Sequence, residues 1–104
     1  MSDKTWKSVE RRIAKFFGTQ RTPLSGQNSR HTGADILHDK LFVEIKFRSK
    51  IPFMKTFKYT IEQAKKENKT PMVVFVEKNS RTPILMCNLY DFKKIVEEKN
   101  GTGI

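Results

Sequence analysis

The chain has 104 residues, of which 37% are hydrophobic and 31% charged, and it carries a net charge of +10. That length leaves room for one domain over residues 1–104. The single cysteine, Cys87, excludes an internal disulfide and a cysteine-cluster zinc site. No apolar stretch approaches the ~20 residues of a membrane span, and Met1-Ser2-Asp3-Lys4 leads into no signal-type apolar run. An intracellular, cytoplasmic protein with no membrane partner is therefore expected. The charge is concentrated: residues 11–60 hold eleven Lys/Arg against only Asp35, Asp39 and Glu44, a net of +8. A stretch so one-sided in sign favours a polyanionic partner, nucleic acid first.

In chain order, Trp6, Val9, Ile13, Phe16 and Phe17 recur at helical spacing, so the pattern predicts an amphipathic helix over about 5–17, stopped by Gly18. Glu10 falls on the flank of that apolar stripe. Residues 19–32 lack periodicity and contain Pro23 and Gly26; they read as a long polar loop with a short strand at its start. Two strands are expected next, 34–38 and 41–47, joined at Asp39-Lys40. In the second, Leu41, Val43, Ile45 and Phe47 share one face, and Phe42, Glu44, Lys46 and Arg48 the other. Phe57, Ile61 and Ala64 mark a second helix over about 53–68, and Met72-Val73-Val74-Phe75-Val76 reads as a central strand buried on both sides. Residues 83–89 give a further strand, and Leu89, Phe92, Ile95 and Val96 a last helix. The expected fold is α/β, a central mixed sheet of about five strands flanked by helices.

If the turn is centred on Asp39-Lys40, Asp35 lies directly across from Glu44, with Cβ atoms ~4.5–5.5 Å apart. Two carboxylates so placed repel unless a cation is held between them, and a hard Mg²⁺ is the economical choice. Lys46 is one pleat from Glu44 on the same face, where it can handle a water's proton or stabilise charge on phosphorus. The plainer alternative is an ordinary half-exposed strand with Glu and Lys on its wet side. Arg11, Arg12, Arg21, Arg30, Arg48, Lys50, Lys55 and Lys58 are candidate phosphate contacts. His31 and His38 lack a zinc-type spacing partner.

The pattern Gly33-Ala34-Asp35 … Glu44-Ile45-Lys46, preceded by a helix bearing Glu10, resembles the PD-(D/E)XK nuclease superfamily, whose fold is restriction-endonuclease-like. With Arg21-Thr22-Pro23-Leu24-Ser25-Gly26 between the helix and the aspartate, it is most similar to archaeal-type Holliday junction resolvases. The resemblance covers roughly residues 5–76, and Ala34 stands where the usual proline precedes the aspartate. It implies metal-binding roles for Glu10, Asp35 and Glu44, a catalytic role for Lys46, and a place near the scissile phosphate for Ser25. Gln63 matches a glutamine that supports such sites. It further implies a Mg²⁺-dependent endonuclease, with Mn²⁺ able to substitute, that acts as a homodimer on four-way DNA junctions by paired nicks. Two alternatives stand beside it: a nuclease of this superfamily acting on duplex, flap or nicked DNA, and a non-catalytic basic DNA-binding protein.

Overall fold

A computed structural model describes residues 3–23, 32–48, 50, 52–80 and 82–100. Helix α1 spans Asp3–Phe16, strand β1 Leu41–Arg48, helix α2 Phe53–Lys66, strand β2 Thr70–Glu77, strand β3 Ile84–Cys87 and helix α3 Leu89–Asn100. The strands form one sheet in the order β1-β2-β3. β1 and β2 run parallel with Glu44 beside Val73 and Lys46 beside Phe75, and α2 makes the crossover between them. β3 returns antiparallel to β2, with Val74 beside Leu85.

Period-two patterning of β1 sorts its side chains between two layers. Val43 and Ile45 join Met72, Val74 and Val76 under Val9, Ile13 and Ala14 of α1, and Ile36 closes that core. On the opposite face Phe42 packs with Ala34 and Ala64, and Val73 and Phe75 pack with Phe57 of α2. Every residue from Met72 to Val76 is buried, as a central strand between two helical layers requires. α1 ends in a Schellman arrangement: Gly18 takes φ 75°, Thr19 N–H donates to the Ala14 carbonyl at 2.9 Å and Gly18 N–H to that of Lys15 at 2.9 Å. Phe16, placed in the apolar stripe by its spacing, is instead 83% exposed and meets Phe17 edge-on.

The sheet has three strands among the described residues, not about five. Residues 34–38 do not form the expected partner strand of β1. Ile36 makes an isolated antiparallel bridge with Arg21, and Leu37 N–H donates to the Gln20 carbonyl at 3.0 Å. This segment is therefore tied on one side to the chain leaving α1 and on the other to the edge of β1. Its main-chain bond to β1 runs from Asp35 N–H to the Val43 carbonyl at 3.0 Å, and the next rung is made by a side chain, Ile45 N–H donating to Asp35 Oδ2 at 2.7 Å. A carboxylate standing in for a main-chain carbonyl ends the ladder there. The turn beyond is held by His38, whose Nδ1 accepts from Lys40 N–H and Leu41 N–H, both at 3.0 Å. The short strand expected at the start of the 19–32 loop is reduced to the Arg21 bridge.

Candidate active site

Two of the sequence-predicted carboxylates, Asp35 and Glu44, meet at the edge of β1. Asp35 is fixed there by its own side chain: the bond from Ile45 N–H aims one carboxylate oxygen at the strand, beside Glu44. Burial, then the charge of Glu44 and a hydrogen bond shared with it, push the Asp35 carboxyl up to about 8, against the smaller opposing pull of Ile45 N–H and Lys46. Lys46 Nζ lies 3.5 Å from Glu44 Oε1, with both side chains partly exposed. Asp35, Glu44 and Lys46 thus form one cluster, although the register that brings the carboxylates together differs from the continuous hairpin expected.

Glu10 arrives from α1, on the other side of the sheet, and is 1% exposed. Its Oε1 accepts a hydrogen bond from Arg21 Nε at 2.6 Å, while its Oε2 has no partner among the described residues. Burial raises the Glu10 carboxyl, the hydrogen bond from Arg21 opposes this, and the nearby Asp35 charge adds to the rise. Arg21, expected at a phosphate, is engaged by Glu10 and lies with its guanidinium carbon 5.7 Å from the centroid of the Trp6 ring.

A divalent cation fits this donor set in two respects. Asp35 and Glu44 are hard oxygen donors whose mutual repulsion is felt by Asp35 as a raised proton affinity, and a cation relieves that repulsion. The buried Oε2 of Glu10 is an acceptor with no partner among the described residues. No group of three or more His, Cys, Asp or Glu is drawn close enough to hold a metal ion among the described residues. Two of the three carboxylates are together, and the third is turned to Arg21.

Sequence reasoning missed Glu67, just past the end of α2. It accepts hydrogen bonds from Thr32 Oγ1 and from Gly33 N–H at 2.8 Å, and Lys69 Nζ lies 3.3 Å away. Burial works against its ionised form, yet the bonds from Gly33, Thr32 and Lys69 prevail and hold its carboxyl below the usual range. Glu67 therefore anchors the segment two residues before Asp35. Nothing in the local sequence announces this anchor, because Thr32 and Gly33 are more than thirty residues away from Glu67.

Among the other candidates, Arg11, Arg12, Arg48, Lys50, Lys55 and Lys58 are exposed, and Gln63 is half-buried on α2. Ser25, Arg30 and His31 lie outside the described residues. Arg48 and Lys50 line a groove of about 580 Å³ with Phe53, whose ring packs edge-on against Phe75 at 4.7 Å. That groove runs on from the end of β1, on the face that carries Glu44 and Lys46. A separate apolar groove between α1 and the β2-β3 edge, with Ile13, Phe16, Phe17 and Leu85 in its walls, contains none of the carboxylates. No helix among the described residues is long and apolar enough to cross a membrane. Comparison with protein-family models, curated proteins and solved structures found no match to this chain.

Proposed function

We propose that this protein is a metal-dependent, structure-selective DNA endonuclease that resolves four-way junctions by paired nicks. The observation that carries the reading is the Asp35–Glu44 pair with Lys46 beside it, kept at a sheet edge within the most basic part of the chain. A face that meets phosphate has reason to exclude carboxylates, so a partly buried pair there calls for a ligand of opposite charge.

Asp35 and Glu44 are the residues that would hold Mg²⁺ or Mn²⁺, which supplies Lewis acidity toward a phosphate oxygen when bound. Ile45 N–H keeps the Asp35 carboxylate in place through the 2.7 Å bond. Lys46 Nζ, 3.5 Å from Glu44, is positioned to orient an attacking water or to stabilise charge gathering on the phosphate oxygens. Arg48 and Lys50 extend the positive track past the end of β1, with Arg11 and Lys55 as further exposed cations, all sequence-independent phosphate contacts. Ser25, near the scissile phosphate, and Gln63, as a supporting residue, belong to the proposal. A homodimer, each subunit cutting one of two opposed strands, belongs to it as well; exposed Leu89, Tyr90 and Phe92 on α3 offer apolar surface for association.

A non-catalytic DNA-binding protein would share the basic residues but leaves the Asp35–Glu44 pair without a purpose. The substitution Asp35→Asn separates the two. Under the proposal it abolishes cleavage and leaves junction binding at or above the wild-type level, read by gel shift. Cleavage by the variant at the wild-type rate would remove Asp35 from the site.

A further inference from the structure

We propose that Arg21 is the resident counter-ion of Glu10 in the metal-free protein and leaves it when a divalent cation binds, freeing the guanidinium for the substrate phosphate. This rests on the reading of Asp35 and Glu44 as metal-holding carboxylates.

Two expectations collide in the structure. Glu10 is a candidate metal ligand and Arg21 a candidate phosphate contact, yet each occupies the other at 2.6 Å. Neither can do its expected work while the pair is closed. Exchange resolves the collision, and four observations favour it over a permanent structural clamp.

The first is incomplete satisfaction. Glu10 is 1% exposed, but only Oε1 is engaged, by the single Nε–H of Arg21, and Oε2 has no partner among the described residues. A permanent clamp would favour the two-pronged guanidinium–carboxylate geometry that uses both oxygens. The second is tethering. The main chain of Arg21 is pinned by its bridge to Ile36, and Thr22 N–H donates to the Asp35 carbonyl at 3.0 Å. The side chain can therefore swing while its backbone stays beside Asp35. The third is an exit: the Arg21 side chain is 20% exposed, whereas that of Glu10 is 1% exposed, so the arginine is the mobile partner. The fourth is electrostatic. Asp35 contributes to raising the Glu10 carboxyl, so the two sites lie within range of each other's charge. A dication arriving at Asp35 and Glu44 repels the guanidinium and attracts Glu10, and both forces open the pair.

Trp6 makes the exchange visible. It is the only tryptophan in the chain, and Arg21 lies 5.7 Å from its ring centroid. Departure of the guanidinium changes the charge beside the indole and hence its emission. The experiment titrates the full chain with Ca²⁺, which does not quench, against Na⁺ at matched ionic strength, while Mn²⁺ binding is measured separately by electron paramagnetic resonance. The expected result is a saturable change in Trp6 emission with Ca²⁺ and none with Na⁺. Asp35→Asn abolishes both the emission change and Mn²⁺ binding. In Arg21→Gln the emission no longer responds, and Mn²⁺ binds about tenfold more tightly, equivalent to about 1.4 kcal/mol. Should Arg21→Gln fail to fold, the wild-type titration decides alone. Bound Mn²⁺ with Trp6 emission unmoved by Ca²⁺ overturns the exchange while leaving the metal site standing, as does weaker Mn²⁺ binding by folded Arg21→Gln. Absence of Mn²⁺ binding to the wild type overturns the exchange together with the metal-site reading beneath it.

Discussion

Replacing Asp35 by Asn should stabilise the metal-free protein at neutral and alkaline pH. The Asp35 carboxyl is pushed up to about 8, first by burial and then by Glu44. In the unfolded chain the same group releases its proton near 4. Between those values the folded state holds a proton that the unfolded state has lost, so stability falls as pH rises from about 4 to about 8. Four pH units at about 1.4 kcal/mol each set an upper bound of about 6 kcal/mol on the loss. Asn keeps an acceptor for Ile45 N–H but gives up the charge on that hydrogen bond, which offsets about 1–2 kcal/mol. The net gain at pH 8.5 is then at most about 4–5 kcal/mol, read as a higher Tm and urea midpoint for the variant. The assay is urea unfolding in EDTA at pH 5 and pH 8.5, wild type against variant. The advantage of Asn must be small at pH 5 and large at pH 8.5; equal destabilisation at both pH values would refute the reasoning.

Other outcomes test separate parts of the structure. Glu67→Gln leaves one acceptor oxygen where Thr32 and Gly33 use two, gives up the charge facing Lys69, and should cost about 1–3 kcal/mol at pH 7 by chemical denaturation. Because the Glu67 carboxyl is held low, wild type should lose this advantage as pH falls below about 4 and through the folded-state value, so the two proteins converge in acid. Gly18→Ala forces a Cβ into φ 75° and should lower stability by about 1 kcal/mol, read as a shift in the urea midpoint with unchanged slope. Arg48→Ala and Lys50→Ala should each weaken DNA binding similarly across sequences and reduce the magnitude of the slope of log affinity against log salt by about 1; an unchanged slope would take that residue off the phosphate path.

What could be read in the sequence was what local pattern controls. The alternation of β1, the unbroken apolar run of β2 and the glycine that ends α1 depend on neighbours within a turn or a pleat, and the structure has all three. The pairing of Asp35 with Glu44 was legible too, because both flank one tight turn. The manner of that pairing was not. Whether 34–38 continues a ladder depends on Asp35 capturing Ile45 N–H and on Ile36 bridging to Arg21, contacts that local periodicity does not encode. The same limit applies to Arg21 on Glu10 and to Glu67 on Gly33: a charged residue in a loop shows its sign in the sequence, not its partner. Phe16 illustrates the edge of a pattern, since the last residue of α1 stays exposed although its spacing puts it on the apolar stripe.

The proposal as a whole turns on chemistry at Asp35 and Glu44 and on the shape of the DNA. Its most direct test is incubation of the protein with an end-labelled four-way DNA junction, and with linear duplex in parallel, in Mg²⁺ and in EDTA. Symmetric paired nicks on the junction, absent from the duplex and lost in EDTA, are the predicted result. Tight, salt-sensitive binding to both DNAs with no Mg²⁺-dependent cut in either would contradict it.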